Sequence, residues 1–410
     1  MKIDKNVRQQ TVDYSVQAIK HICTEIGPRE PGSPEERAAQ QYLADDIIKN
    51  NWADSVEFQE FSVAPKAFMG FSRIIPVLIA IGIVMFWWFP WAPLVFNVIG
   101  LAILFFQFLL YWRFLDPLYK KSTSSNLIAT KKPTGEVKRR IILSGHSDCA
   151  YEWTVFHHFG PKVHIGSLVL AAIGAFVSIG LSIAATVIYA ADPALWAHTP
   201  VWMLIVAACF APFYLALFLY SNYNRVVPGA NDNLTGCLGA VGALKCLKDQ
   251  GIDFEHTEVV AVLTGSEEAG LRGAKAYAEQ YAHGLKTDGV ETVFIGLETF
   301  RDYEHMSIYH RDLSGTVKHD ERAVRLLDRA VERLGLDPLP HASVFIGASD
   351  AAALTQAGLC ACTLASMDPA PARYYHTRND DSDNLNPECM ALGLDIALEA
   401  VELFDEEGLK

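Results

Sequence analysis

Imidazole and carboxylate side chains recur in this chain close to the ends of short apolar runs. They are His146, Asp148, Asp232, Glu267, Glu268, Glu298 and His376. Short apolar runs bounded by turn residues predict buried strands, and sites in α/β proteins form where such strands end. One such residue alone is usually a cap or a surface group, but several at neighbouring strand ends predict a metal site. Zinc prefers these ligands, and manganese and cobalt also accept them.

Five motifs around these residues resemble those of the co-catalytic two-zinc aminopeptidases, peptidase family M28, which also includes glutamate carboxypeptidases. The motifs are Gly145-His146-Ser147-Asp148, the run from Gly229 to Asn233, the run from Gly265 to Leu271, Ser349-Asp350, and Tyr375-His376-Thr377. Their order and most of their spacings agree with the family. The resemblance implies a zinc-dependent exopeptidase that binds two zinc ions per chain and hydrolyses peptides, with an aminopeptidase favoured.

The resemblance also implies a role for each metal ligand. Asp232 would bridge the two metals. His146 and Glu298 would complete one site, and Glu268 and His376 would complete the other. Members of the family usually have Asp where Glu298 stands. The extra methylene of Glu keeps the carboxylate but changes its reach, so this position is a departure from the family.

Two residues are implied to take part in the reaction itself. Glu267 would be the general base, and Tyr375 would help to hold the oxyanion. Neighbouring side chains on extended backbone point in different directions. Glu268 can therefore bind metal while Glu267 takes a proton from water and passes it to the leaving amine.

Three further acidic residues are candidates for the surroundings of the site. Asp148 is placed to accept the free ring N–H of His146 and so to fix its tautomer. Asp350 is expected to support another ligand in the same way. Asp302 is a less favoured substitute for Glu298, because it lies beyond the end of the predicted strand.

Three long stretches of the chain contain no Asp, Glu, Lys or Arg. They are Ile74 to Trp112, Ile165 to Ala191 and Pro193 to Asn224. A membrane-spanning helix needs about 20 largely apolar residues, so the first stretch is long enough for two spans and each of the others for one. Helices buried in a soluble core would also be apolar, but several tryptophans lie near the proposed span ends, where interfacial rings are favoured. They are Trp87, Trp88, Trp91, Trp112, Trp196 and Trp202.

Basic residues flank the predicted spans on one side only. They are Arg73, Arg113, Lys120, Lys121, Lys162 and Arg225. The positive-inside rule therefore predicts a multi-pass membrane protein whose remaining domain and both termini face the cytoplasm. Because the second hairpin is inserted between His146 and Asp232, we expect the active site to lie close to the lipid bilayer. The spans would then favour hydrophobic or membrane-released peptides, or they would simply anchor the enzyme.

The predicted hairpins divide one α/β domain into three parts. Residues 1–69, 116–162 and 222–410 form the peptidase-like domain, and residues 70–115 and 163–221 form the two transmembrane hairpins. The expected fold is a mixed central sheet flanked by helices in three layers, as in zinc exopeptidases. Strands are predicted at Val56 to Phe61, Arg140 to Ser144, Val259 to Leu263 and Glu291 to Leu297, and helices at Pro34 to Lys49, Leu234 to Leu247, Leu271 to Tyr281 and Val317 to Leu334.

Other classes of function are less favoured by the sequence. The net charge is -13 and no run is rich in Lys or Arg, so nucleic-acid binding is not expected. The spans lack the intramembrane charges that mark most transport pathways. A glutaminyl cyclase-like transferase and a catalytically inactive binding protein with a peptidase fold remain as alternatives, because a fold alone does not establish a function. The sequence does not determine the oligomeric state.

Overall fold

The computed structural model describes residues 3–196, 200–344, 346–370 and 372–410, and the chain folds as two compact units. The sheet unit consists of Met1–Pro65, Lys121–Ala150 and Val226–Lys410. The helical unit consists of Lys66–Lys120 and Tyr151–Arg225, so both predicted hairpins fall in one unit. Residues 197–199, which belong to the predicted second hairpin, lie outside the described residues.

The strands and helices of both units are numbered in chain order. The strands are β1 Ser55–Val63, β2 Ser122–Lys131, β3 Arg139–His146, β4 Tyr151–Trp153, β5 Ser221–Val226, β6 Thr257–Thr264, β7 Glu291–Glu298, β8 Met306–Asp312, β9 Val317–Lys318, β10 His341–Ser343 and β11 Cys360–Ser366. The helices are α1 Lys5–His21, α2 Pro34–Lys49, α3 Phe71–Met85, α4 Ala92–Ile103, α5 Thr154–Ala191, α6 Pro193–Trp196, α7 Pro200–Ala208, α8 Ala211–Phe218, α9 Thr235–Asp249, α10 Arg272–Thr287, α11 Glu321–Arg333, α12 Asp350–Gln356 and α13 Pro387–Glu407.

One mixed sheet forms the centre of the sheet unit. Its strand order is β1-β2-β6-β3-β7-β11-β8-β10, and β9 pairs with β8. The four central strands β6, β3, β7 and β11 are parallel, whereas β2 runs antiparallel to β1 and β6, and β8 runs antiparallel to β11. The carboxyl ends of the parallel strands therefore meet at one edge, where sites of α/β proteins form. The predicted mixed sheet is confirmed.

Helices cover both faces of this sheet, which is why the middle residues of its central strands are apolar on both faces. Ile141 and Leu143 of β3 lie in one core cluster with residues of α1, α9, α11 and α13. Side chains alternate between faces along a strand, so Ile142 faces the other layer. Among the described residues, α10 and α12 contact the sheet but contribute nothing to that cluster. The result is the three-layer arrangement expected from the sequence.

Helix capping decides where two of the predicted helices begin. The predicted start of α2 at Pro34 is confirmed, because Oγ of Ser33 accepts the N–H of Glu36 at 3.1 Å and so caps the helix. The helix predicted from Val317 is wrong at its start. Residues 317 and 318 form β9, and α11 begins only after Asp320, whose carboxylate accepts the N–H of Arg322 at 2.9 Å.

Three helices of the helical unit are long and apolar enough to cross a membrane. They are Phe68–Met85, Ala92–Leu109 and Thr154–Ala191, and the bent pair Val201–Ala208 with Ala211–Phe218 meets the same test when it is counted as one span. The bend within that pair is 42°. The four predicted spans thus correspond to three long helices and one broken helix.

Small and uncharged polar side chains form the inner packing of the helical unit. Oγ of Ser178 accepts from Nδ2 of Asn97 at 3.2 Å, and Oγ of Ser182 donates to the carbonyl of Pro90 at 2.6 Å. Small side chains at such contacts let apolar helices approach closely. The ring of Trp196, one of the tryptophans near the predicted span ends, is 6% exposed and packs edge-on against Phe86.

Candidate active site

At the carboxyl edge of the sheet, each of the two carboxylate oxygens of Asp232 faces a different histidine. Oδ1 lies 3.1 Å from Nε2 of His146, and Oδ2 lies 3.1 Å from Nε2 of His376. The second histidine also lies 3.0 Å from Oε1 of Glu268. The side chains of Asp232, His146 and His376 are buried, and that of Glu268 is half-buried. Asp232 is therefore the shared member of two neighbouring groups of potential ligands.

Two more carboxylates approach the first histidine. Oε2 of Glu298 lies 3.9 Å from Nε2 of His146, and Oε2 of Glu267 lies 4.0 Å from the same atom. Three sets of ligand atoms lie within 4.8 Å of one another. They are His146, Asp232 and Glu298; Asp232, Glu268 and His376; and His146, Glu267 and Glu268. The structure thus brings together every residue that the sequence singled out as a ligand or base.

Two glycines allow the start of α9 to approach the strand ends. A Cβ on Gly236 would lie 2.0 Å from the carbonyl oxygen of Leu297, and one on Gly145 would lie 2.4 Å from the backbone nitrogen of Cys237. Any side chain at either position would push α9 away from β3 and β7. The absence of these side chains places Asp232, just before α9, at the edge of the sheet.

Asn233 orients the carboxylate of Glu298. Its Nδ2 donates to Oε2 of Glu298 and to the carbonyl of Leu297, both at 2.8 Å. Its Oδ1 accepts the backbone N–H groups of Gly236 at 3.0 Å and Thr299 at 3.1 Å. All the hydrogen-bonding capacity of the amide is directed at the end of β7 and the start of α9. In the sequence this residue belongs to the Gly229-to-Asn233 motif, but no local pattern predicts its role.

Asp148 has a wider role than the predicted one. Its Oδ1 lies 3.3 Å from Nδ1 of His146, which fits the predicted contact and leaves Nε2 facing the site. The same carboxylate also accepts the N–H of Glu267 at 3.0 Å and that of Glu268 at 2.9 Å. It therefore fixes a histidine and the tandem glutamates together.

Two buried residues that sequence reasoning missed hold the loops of the site. Oδ1 of Asp380 accepts the N–H of Asn231 at 2.9 Å, and its Oδ2 accepts that of Asp232 at 3.1 Å. Burial, followed by the nearby charge of Asp232, raises the pKa of Asp380 to about 7. Its only signal in the sequence is its position shortly after the His376 motif.

Arg29 is the second missed residue, and it is fully buried. Its guanidinium donates to three carbonyl groups, at 2.7 Å to Ser147, 2.9 Å to Pro228 and 2.8 Å to Gly229. These carbonyls belong to the loops that carry His146 and Asp232. No local pattern identifies such a residue, because these three partners lie more than a hundred positions away.

The remaining predicted residues lie at or beside the site. Asp350 accepts a short hydrogen bond from the hydroxyl of Thr264 rather than from a histidine ring, and burial raises its pKa to about 6. The ring of Tyr375 stacks on His376 with 3.9 Å between centroids. Asp302 accepts from the phenol of Tyr374 at 2.8 Å, so its carboxylate is engaged outside the ligand groups.

The electrostatics of the site suit cations. Burial, reinforced by the charges of neighbouring carboxylates, raises the pKa of Glu267 and of Glu298 well above the usual value, although His146 opposes this shift. Burial lowers the pKa of His376, but Glu268 and Asp232 raise it, to about 10 overall. Among the described residues that line the cavity, four are carboxylates and none is Lys or Arg. This donor set fits bound divalent metal ions.

A small cavity of about 70 Å³ opens beside these groups. Tyr309 of β8 and Tyr375 form part of its wall. Val344, Ile346 and Met367 contribute apolar surface, and Ile346 is 69% exposed. The cavity therefore has an apolar surface next to its carboxylates.

Comparison with known sequences points to one family. Residues 218–401 match the model described as Peptidase family M28. The resemblance to peptidase family M28 is confirmed. The matched region contains Asp232, both tandem glutamates, Glu298 and His376, whereas His146 precedes it. No curated protein matches the chain in sequence.

Solved structures share the M28-like fold over nearly the whole chain. A zinc aminopeptidase from Bacillus subtilis has a TM-score of 0.56 at 15% identity, with 96% of this chain and 94% of that chain covered. An aminopeptidase from Aneurinibacillus sp. strain AM-1 has a TM-score of 0.54 at 16% identity, with 98% and 94% covered. A glutaminyl cyclase from Fimbriiglobus ruber has a TM-score of 0.56 at 14% identity, with 98% and 96% covered. The fold is that of zinc aminopeptidases, and the family match supports a metallo-hydrolase.

Proposed function

We propose that this protein is a membrane-anchored, zinc-dependent aminopeptidase. The observation that carries the proposal is the position of Asp232, whose two oxygens each lie 3.1 Å from a different histidine. A carboxylate in this position could be shared by two metal ions. His146 and Glu298 would complete one site, and Glu268 and His376 the other.

The charges of the site favour two divalent ions over one. Four carboxylates line the cavity, and His146 and His376 are neutral when they bind metal. The four negative charges of the ionised carboxylates equal the positive charges of two zinc ions. Bound zinc would polarise the carbonyl group of the substrate and lower the pKa of an attacking water. Manganese and cobalt accept the same ligands, so the metal content of the purified protein decides which ion is present.

The side chains around the metals have separate tasks in this proposal. Glu267 lines the same cavity as the ligands. Its carboxylate takes the proton of the attacking water and delivers it to the nitrogen of the leaving amine. Asp148 holds the backbone of that turn by two hydrogen bonds. The phenol of Tyr375 donates to the oxyanion that develops on the carbonyl oxygen.

The cavity wall favours an aminopeptidase over a carboxypeptidase. A carboxypeptidase must bind the terminal carboxylate of its substrate, for which Arg or Lys is the usual partner. The described lining residues include neither, and they include four carboxylates. The described wall thus offers no cationic partner for a terminal carboxylate, so the site would bind the amino end of a peptide.

A glutaminyl cyclase-like transferase is the second candidate, because glutaminyl cyclases share this fold with similar TM-scores. The two reactions give different products from a peptide that begins with glutamine. A cyclase releases ammonia and leaves the peptide bond intact, whereas an aminopeptidase releases free glutamine. Mass spectrometry of the products therefore separates the two candidates.

The test of the proposed function uses the full chain purified in detergent. We expect two zinc-class metals per chain and release of N-terminal amino acids that chelation abolishes. Glu267→Gln should retain the metals and lose at least about a hundredfold in rate. Glu304→Gln, at an exposed carboxylate, is the matched control and should behave as wild type. A fully active Glu267→Gln variant would show that the base is assigned wrongly.

The proposal for the helical unit concerns membrane anchoring and substrate choice. The apolar helices would hold the enzyme in the bilayer, with the sheet unit in the cytoplasm, and would favour hydrophobic or membrane-released peptides. In proteoliposomes, we expect kcat/KM for a lipid-tethered peptide to exceed that for the same soluble peptide by at least about tenfold. Equal values would leave anchoring as the only role of these helices. Protease protection of an epitope at the C-terminus tests the orientation.

A further inference from the structure

Three consecutive backbone N–H groups hold the turn that carries the tandem glutamates. The N–H of Ser266 donates to Oε1 of Glu36 at 2.6 Å. The N–H groups of Glu267 and Glu268 donate to the two oxygens of Asp148 at 3.0 and 2.9 Å. Both accepting carboxylates are buried. The turn is thus fixed by two side chains, one at the end of β3 and the other in α2.

Ser266 needs this support because of its backbone conformation. Its φ is 55°, in the left-handed region that non-glycine residues seldom occupy. Such a conformation persists only where the surroundings impose it. Glu36 bonds this residue twice, since Oγ of Ser266 also donates to Oε1 at 3.2 Å.

Glu36 stands three residues after the N-cap of α2, where a glutamate can close a capping box, but its carboxylate has other partners. In a capping box the glutamate returns to the N–H of the N-cap residue, here Ser33. Instead, Oε2 accepts the N–H of Gly32 at 2.8 Å and the hydroxyl of Ser124 at 2.7 Å, while Oε1 bonds Ser266. The side chain is 1% exposed. One carboxylate therefore connects the start of a helix to a turn that lies 230 positions later in the chain.

We infer that Glu36 is a positioning residue for Glu267, on which it acts through the backbone of Ser266. This inference rests on the proposed function, in which Glu267 transfers the proton. Displacement of a catalytic group by about 1 Å can reduce a rate by about a hundredfold. Glu36 does not line the substrate cavity, so its loss should change the turnover step and not substrate binding.

The first test is kinetic. We expect Glu36→Ala to lower kcat by about ten- to a hundredfold, with KM within about twofold of wild type and an unchanged metal content. Glu36→Gln retains an acceptor oxygen for Ser266, so kcat should return to within about threefold of wild type. Ser33→Ala is the matched control, because it removes the cap of the same helix without touching the turn. Its thermal midpoint should fall while kcat remains unchanged.

A wild-type kcat in folded Glu36→Ala would overturn the inference, as would an equal loss of kcat in Ser33→Ala. If Glu36→Ala does not fold, Glu36→Asp takes its place. Asp keeps a carboxylate at the start of the helix but is one methylene too short to bond both Gly32 and Ser266. It should show the same loss of kcat, and a wild-type kcat in this variant would also overturn the inference.

A second readout does not depend on activity. Amide hydrogen exchange of residues 266–268 should be at least about tenfold faster in Glu36→Ala than in wild type, and unchanged in Ser33→Ala. Unchanged exchange in Glu36→Ala would refute the positioning role. If the wild-type protein hydrolyses no peptide, the proposed function fails, and the exchange rates still decide whether Glu36 fixes the turn.

Discussion

The sheet unit and the helical unit bury polar side chains of different kinds. At one edge of its sheet, the sheet unit buries carboxylates and imidazoles, with Asp232 between two histidines. In the long helices of the helical unit, the described buried polar side chains are serines, amides such as Asn97 and one imidazole, that of His164, with no carboxylate among them. Burial of a charge is costly unless the charge is paired or binds a metal. The difference supports the proposal that the sheet unit carries the chemistry and that the helical unit serves as an anchor.

The largest effect is expected from a substitution of Asp232, the carboxylate between the two histidines of the sheet unit. Asp232→Asn keeps the shape of the side chain but removes the charge that two metals would share. We expect it to lose metal and to reduce activity by at least about a thousandfold, because several kcal/mol of charge stabilisation are lost. Metal analysis and peptide assays measure both effects. Full metal content and activity in this variant would remove the basis for a bridged metal pair.

The next effect compares two tryptophans of the helical unit. Trp196 is 6% exposed and belongs to a core cluster with Phe86 and Met203, whereas Trp88 is 64% exposed. Trp196→Ala should lower the free energy of unfolding by about 3 to 5 kcal/mol, and Trp88→Ala should change it by less than about 0.5 kcal/mol. Denaturation of the detergent-solubilised protein measures the difference. Equal effects would contradict the packing described for Trp196.

A smaller effect concerns the residue that orients Glu298. Asn233→Ala removes the two hydrogen bonds from Nδ2 at 2.8 Å. We expect metal affinity or activity to fall by about ten- to a hundredfold, the usual range for a partner of a ligand. Titration of the metal-free protein with zinc measures the affinity. A change below about twofold would mean that Glu298 keeps its position without this amide.

The smallest effect tests the uncharged contacts between helices. Ser178→Ala removes the hydroxyl that accepts from Asn97. Interhelical hydrogen bonds of this kind contribute about 0.6 kcal/mol on average in a membrane protein. We expect a destabilisation of that size with unchanged hydrolysis of soluble peptides. A large loss of activity would contradict this separation of roles, because it would show that the helical unit affects the site.

Much of the fold was predictable where strong periodicity or local capping decides structure. Strands β3, β6 and β7 and helices α2, α9 and α10 lie close to their predicted positions. The strands β2, β8, β10 and β11 were not predicted, and the start of α11 was placed too early. β11, for example, begins with Cys360-Ala361-Cys362, whose small residues give little β signal, and it forms by pairing with β7 and β8.

The sequence by itself determined the residue types that could bind metal, their order along the chain and the apolar stretches, because each of these is local. Only the tertiary structure decided that Asp232 faces two histidines and that Asn233, Asp380, Arg29 and Glu36 hold the surrounding loops. The partners of these four residues are set by how helices and strands pack. A buried hydrogen bond between distant positions leaves no periodic or local pattern in a single sequence.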